Sequence, residues 1–243
     1  KIQIKILKNA EVAGSFGKKD AEWLKKKGIL NSKYYKSPYV DVASKNFLDF
    51  KSRFDLKNKK IKIATSLGRL NATATGSGLY LLKTELLKLY DEIIGRDNYE
   101  IHIYGDGFLK EGAASLHNEK NVFVRGFVDD IDKELLSSDV FLLATNIALG
   151  YRLRLINGLC RGLPMVISKY DTFNQPELID GYNCLVGNTS QEIAEKTKEI
   201  IFNKELRISL MKNARQTYID NFQPDKVVKD IFVDLDNYHK KSF

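Results

Sequence analysis

Three short stretches hold the residue types that chemistry on an anionic ligand requires. In Gly68-Arg69 a residue without a side chain lets a ligand reach the backbone, and the guanidinium beside it offers a forked donor to phosphate. Gly76-Ser77-Gly78 precedes a helical pattern and is a candidate for backbone N–H groups aimed at an anion from a helix start. It lacks the Gly-Lys-Ser/Thr ending of a P-loop. The most informative stretch is Gly150-Tyr151-Arg152-Leu153-Arg154-Leu155-Ile156-Asn157-Gly158. It puts Arg152 and Arg154 in the first turn of a helix, at the positive end of the dipole, where cations are unfavourable. A bound anion removes that conflict; pairing of one arginine with a nearby carboxylate is the alternative.

Other candidate residues read as structural. Asp130-Ile131-Asp132 spells a pattern that holds a divalent metal beside a nucleotide, but Asp129, Asp130 and Asp132 also suit a helix start, and that is the preferred reading. His102, His117 and His239 are scattered, and His102 falls in mid-strand as a packed residue. Asn71-Ala72-Thr73 and Asn188-Thr189-Ser190 match glycosylation acceptors by chance, since no secretory signal accompanies them.

The elements that must position these residues follow from periodicity. Strands are expected at 61–66, 99–104, 121–124, 139–143, 164–168 and 183–186, most closed by Gly, Ser or Asp-Gly. Leu79, Leu82, Leu86, Leu89 and Ile93 predict a helix ending near Gly95, and shorter helices are expected at 129–137 and 151–161. A helical tail from Ser190 to about Tyr238 breaks near Asn203 and at Pro224, with Glu192, Glu195 and Glu199 on a solvated face. Six strands alternating with helices imply an α/β fold, a Rossmann-like doubly wound parallel sheet. Ligands of such sheets bind outside the carboxyl ends of the strands. Residues 1–58 form a short N-terminal extension: Ile2, Ile4 and Ile6 alternate as in a strand, Ser15 is an N-cap for a helix through Lys27 ended by Gly28, and Tyr34–Asp41 is extended. One strand and one helix enclose no core, so this segment must pack on the main domain, a missing domain or a second chain.

Composition bounds the function classes. The 243 residues are 43% hydrophobic and 29% charged, a globular balance with a formal net charge of +8 that favours anionic partners. Lysines are spread along the chain and no nucleic-acid motif is present, so a nucleic-acid partner is not expected. Cys160 and Cys184 lie far apart, without metal or disulfide spacing, which fits a reducing compartment. No apolar run approaches the roughly 20 residues that cross a bilayer. The first residue is Lys1, and a fragment of a longer protein is expected.

The order of motifs resembles the C-terminal, donor-binding domain of GT-B-fold glycosyltransferases, in particular the retaining family 4. The matching stations run from Ile63–Arg69 through Ile101–Gly107, Asn121–Asp129, Ser138–Leu143 and Gly162–Ser168 to Pro176–Val186. The resemblance implies that residues 59–238 form the nucleotide-sugar-binding domain, and that residues 1–58 are the end of an acceptor-binding domain plus its linker. It implies transfer from a nucleotide-diphosphate sugar to a glycan or lipid-linked acceptor, with no metal or other cofactor, in the cytoplasm. The donor-binding set is then Gly68, Arg69, Gly126, Phe127, Val128, Gly150, Tyr151, Arg152, Arg154 and Asn157, with Phe127 and Val128 walling the base. Many members carry two glutamates eight residues apart where this chain has Leu149 and Asn157, and Gly150-Tyr151-Arg152-Leu153-Arg154 resembles a variant lacking the first. A non-catalytic subunit that has lost both carboxylates is the competing expectation. Lys18, Lys19, Lys25, Lys26 and Lys27 suit either peripheral contact with an anionic membrane or, by preference, a solvated helix face.

Overall fold

The apolar runs expected as strands pair into one parallel sheet. The computed structural model describes residues 2–49, 60–65 and 67–240. The chain opens with helix α1 (Ile2–Lys8), strand β1 (Ala13–Ser15), helix α2 (Lys18–Lys26) and strand β2 (Ser32–Tyr34). Strands and helices then alternate: β3 (Ile61–Thr65), α3 (Thr73–Leu81), a π-helical turn (Leu82–Leu86), α4 (Leu87–Ile93), β4 (Tyr99–Tyr104), β5 (Val122–Gly126), α5 (Ile131–Leu136), β6 (Val140–Leu143), α6 (Leu153–Cys160), β7 (Met165–Ser168) and β8 (Leu185–Gly187). Helices α7 (Ser190–Phe202), α8 (Lys204–Asn221) and α9 (Pro224–His239) follow, broken at Asn203 and Pro224 as the sequence predicts.

The main sheet has the order β5-β4-β3-β6-β7-β8, every pairing parallel. This is the doubly wound, Rossmann-like arrangement, whose strand order reverses between β3 and β6. Alternation along each strand supplies two cores. Ile61, Ile63, Ile101, Ile103, Val140 and Leu142 pack with α3, α4 and α7 on one face. Ala64, Tyr104, Phe141, Leu143, Met165 and Ile167 pack with α6 and α8 on the other. Strands buried on both faces are near-continuously apolar, which is why β6 and β7 are so legible.

Three expectations for local structure fail. Residues carrying Ile2, Ile4 and Ile6 form α1, not a strand. Two-residue alternation makes a strand only where a partner strand offers hydrogen bonds, and β1 pairs with β2 alone. Gly76-Ser77-Gly78 lies inside α3, which starts at Thr73, so it presents no helix start to a ligand. Its physical role is close packing: a Cβ on Gly78 would stand 2.6 Å from the Ala144 carbonyl oxygen. Helix α2 starts two residues later than expected, at Lys18, with Gly17 as its N-cap; Ser15 belongs to β1.

The N-terminal segment packs on the main domain. Lys18 N–H donates to the Asn174 carbonyl, the Tyr34 hydroxyl to Glu177, and Tyr39 N–H to the Phe222 carbonyl. Phe47 is fully buried beneath Arg161, whose guanidinium carbon is 5.6 Å from the ring centroid.

Candidate functional site

At the carboxyl ends of β3, β4 and β5 three loops are fastened together. Leu70 N–H donates to the Asp106 carbonyl at 2.8 Å, Asp106 N–H returns a bond to the Gly68 carbonyl at 3.1 Å, and Gly105 N–H reaches the Gly126 carbonyl at 2.9 Å. The approach is so close that a Cβ on Gly105, whose φ is +151°, would meet the Gly68 carbonyl oxygen at 2.1 Å. The fastened loops enclose a cleft of about 340 Å³. Gly68, Arg69, Gly126, Phe127 and Val128, all expected at the site, line it together with Leu67, Tyr104 and Ile131. Phe127 is 77% exposed and Arg69 is exposed beside it. An apolar wall with a free aromatic ring and a cation at the mouth suits a flat heterocycle carrying an anionic group.

Across the strand-order reversal, the β6–α6 loop carries the second group. Its two arginines have different fates. Arg152 is 7% exposed, and its Nε lies 3.2 Å from Asp171 Oδ1 as an ion pair, without the alignment of a hydrogen bond. Its Nη2 donates to the Ile147 carbonyl at 3.1 Å and to Thr145 Oγ1 at 3.3 Å. Asp171 is itself 2% exposed and accepts further bonds from Thr145 N–H, the Thr145 hydroxyl and the Ser168 hydroxyl. Arg152 is therefore the internal counter-ion of a buried carboxylate, and the two-arginine clamp is reduced to one member with its charge unspent.

That member is Arg154. Its Nη1 donates to Thr75 Oγ1 at 3.1 Å, and among the described residues no carboxylate comes within ion-pair distance of it. Burial pulls its pKa below the ordinary guanidinium value, Asp171 opposes the shift in part, and the like charge of Arg152 adds to it. A half-buried cation with a desolvation cost and no counter-ion is an electrostatic vacancy for an anion. Thr65, Thr75 and Thr145 surround it at the ends of β3 and β6 and in α3, beside a void of about 20 Å³.

The remaining expected residues serve the loop. The Gly150 carbonyl accepts from Asn174 Nδ2, and Gly150 takes a φ of +60°. Tyr151 turns its ring toward Phe16 of the N-terminal segment, centroids 6.2 Å apart. Asn157 donates to the Tyr39 hydroxyl at 2.8 Å and accepts from Arg161 at 2.6 Å, so its amide ties the N-terminal segment to α6. Asp171, Thr145 and Thr75 were not anticipated. The rule that site residues lie at strand ends points to the first two, which follow β7 and β6. Asp130 accepts from Lys133 N–H as the α5 N-cap, as expected. Among the described residues no group of three His, Cys, Asp or Glu side chains gathers in a metal-binding arrangement.

The profile of the glycosyl transferases group 1 family matches residues 62–203. No curated protein matches the sequence. Among solved structures, HepE from Anabaena in complex with UDP-glucose superposes with a TM-score of 0.74 at 14% identity, over 97% of this chain and 66% of that one. Sucrose-phosphate synthase from Thermosynechococcus elongatus gives 0.73 at 13% identity, over 99% and 61%. A mutant of S. aureus TarM in complex with Fondaparinux, alpha-GlcNAc-glycerol and UDP gives 0.68 at 17% identity, over 94% and 44%. The chain thus spans about half to two thirds of the length of these GT-B proteins, and at such identities the likeness is one of fold.

Proposed function

The chain belongs to the glycosyl transferases group 1 family, and from that premise we propose that it binds a nucleotide-diphosphate sugar and transfers the sugar to a glycan or lipid-linked acceptor. The observation that carries the reading is the unpaired Arg154 guanidinium at the α6 N-terminus, across the sheet's reversal point from the Phe127 cleft. The base lies against Phe127 and Val128, the diphosphate spans from Arg69 toward Arg154, and the sugar meets the loop at Leu149 and Gly150. As the sugar–phosphate bond breaks, the leaving diphosphate gains negative charge and the sugar becomes oxocarbenium-like. Arg69, Arg154 and the first-turn amides of α6 are fixed positive groups aimed at that charge. These cations do the work a metal does elsewhere, so transfer is metal-independent. By resemblance it retains stereochemistry, uses a hexosyl donor and belongs to family 4.

Residues 59–238 are the donor domain in this reading. Residues 1–58 are the end of an acceptor domain with its linker. The enzyme works in the cytoplasm, with peripheral contact to the membrane that carries a lipid-linked acceptor. The relatives support the ligand class by their own contents, UDP-glucose in HepE and UDP with a glycoside in TarM. Titration with a panel of UDP- and GDP-sugars tests the proposal, and failure to bind any of them contradicts it. Leu149 and Asn157, in place of two carboxylates, favour one competing reading, a donor-binding subunit without turnover. Donor hydrolysis or transfer by the chain eliminates that reading.

A further inference from the structure

Two adjacent side chains from the segment after β7 grip the backbone of the β6–α6 loop. Asn174 and Gln175 are both almost wholly buried. Gln175 pairs with Arg152 as a neighbouring strand would. The Arg152 N–H donates to Gln175 Oε1 at 3.2 Å, and Gln175 Nε2 donates to the Arg152 carbonyl at 3.3 Å. Arg152 is the N-cap residue of α6, so this bracket sets the direction in which the first turn, with Arg154, leaves the loop. Two residues earlier, Asn174 Nδ2 donates to the Gly150 carbonyl at 3.0 Å.

The other contacts of Asn174 lie in the N-terminal segment. Helix α2 begins after Gly17, which has no side chain to cap it. Asn174 takes over that role from a distant part of the chain. Its Oδ1 accepts from Lys19 N–H at 3.0 Å, and its backbone carbonyl accepts from Lys18 N–H at 3.3 Å. Its Nδ2 also donates to Asp20 Oδ2 at 3.2 Å. A carboxamide has one acceptor oxygen and two N–H donors. Here the oxygen and one hydrogen serve α2, and the second hydrogen serves Gly150. The side chain therefore follows one neighbour only by lengthening its bond to the other. Little room is left for adjustment: a Cβ on Gly17 would stand 2.7 Å from Asn174 Cγ and 2.5 Å from Asp20 Oδ2.

We propose that Asn174 is a positioning residue for the diphosphate. It makes the placement of the Gly150 turn, and through it the aim of Arg154 and the α6 amides, depend on how α2 is seated. The inference rests on the donor-site reading above and adds to it a mechanical link from the N-terminal segment. Such a link matters because a binding constellation must be held to within about 0.5 Å by the shell behind it.

Placement and folding are separable by experiment. Three variants of the 243-residue chain are compared with the parent. Asn174→Ala removes the grip on Gly150. Gly17→Ala adds a methyl that displaces the Asn174 amide from a place outside the donor site. Lys33→Gln loosens the N-terminal segment at its ion pair with Asp234 of α9 and leaves Asn174 untouched. Calorimetry with UDP and uridine, or with GDP and guanosine if the parent chain prefers them, gives the affinities, and urea unfolding checks that each variant is folded. The proposal predicts diphosphate affinity about fivefold or more weaker in Asn174→Ala and in Gly17→Ala, with nucleoside affinity within about twofold of the parent. Lys33→Gln binds the diphosphate as the parent does. Parental diphosphate affinity in Asn174→Ala or Gly17→Ala, matched losses for diphosphate and nucleoside, or an equal loss in Lys33→Gln overturns the proposal. A parent chain that binds neither UDP nor GDP overturns the donor-site reading and this inference with it, whereas a nucleotide-binding parent whose variants bind equally well overturns this inference alone.

Discussion

Two arginines separated by one residue have opposite roles, and the difference is one of partners. Arg152 is held by Asp171, a residue 19 positions on, and the pair is almost wholly buried. Asp171→Ala leaves a buried guanidinium unpaired and frees Thr145 and Ser168, so urea unfolding should show a loss of about 3–5 kcal/mol. Arg154→Gln removes no ion pair, so the same assay should register less than about 1 kcal/mol. The helix start with two cations is legible in the sequence, and so is the conflict with the dipole. Which cation is already neutralised is not, because the neutralising carboxylate arrives through the β6–β7 crossover and not through local spacing. His102 shows the reverse case, since its mid-strand place is enough to predict a packed ring. Its Nδ1 accepts from Arg125 Nε at 3.2 Å, which leaves Nε2 to donate to Glu100. Burial holds its pKa below the usual 6.5, with Glu100 opposing. Below that pH the unfolded chain binds the proton more readily, so stability falls as pH falls through the region. His102→Gln should flatten that acid limb when unfolding is compared at about pH 7.5 and pH 5.5.

At the level of elements, the donor cleft depends on how closely three loops approach. Gly105 is the point where no side chain fits, since its Cβ would overlap the Gly68 carbonyl. Gly105→Ala forces the β3 and β4 loops apart and should cost about 2–3 kcal/mol in thermal or urea unfolding. It should also lower nucleotide affinity, because Arg69 sits on the β3 loop and the Phe127 loop is tied to the β4 loop through the Gly105 N–H bond to the Gly126 carbonyl. Strands β3 to β8 are readable because apolar runs bounded by Gly and Asp-Gly admit few alternatives. Right-handed crossovers limit the orders such strands can take, and the structure adopts β5-β4-β3-β6-β7-β8. Short N-terminal elements resist the same reasoning: α1 and a candidate strand share one sequence pattern, and only the absence of a pairing partner decides between them. Gly76-Ser77-Gly78 misleads for a related reason, as glycines that signal a loop also serve where a helix presses on a neighbouring backbone.

The whole molecule is held by contacts between its N-terminal segment and its last helices. Asp41 pairs with Arg215 of α8, Lys33 and the Tyr35 hydroxyl with Asp234 of α9. The Arg215 guanidinium holds the Asp41 pKa at about 2, below the usual 3.8. A depressed carboxylate stabilises the fold above its unfolded pKa, and the contribution is lost as pH falls from 3.8 towards 2. Because the Asp41 side chain is 38% exposed, solvent screening reduces the stabilisation to about 1 kcal/mol. Asp41→Asn should lose that amount at neutral pH and match the parent chain near pH 2 in chemical unfolding. The parallel sheet and a ligand site at its strand ends are legible in the sequence. The strapping of residues 33–47 is not, since it depends on side chains more than 100 positions away in sequence. The central claim is that an unpaired cation at the sheet's reversal point holds a diphosphate. Calorimetric titration of the parent chain and Arg154→Gln with UDP and with uridine tests it most directly. Loss of a charged hydrogen bond worth about 1.5–3 kcal/mol predicts UDP affinity roughly 10- to 100-fold weaker in the variant, with uridine affinity little changed. Equal UDP affinity in the two proteins, or an equal loss for UDP and uridine, contradicts it.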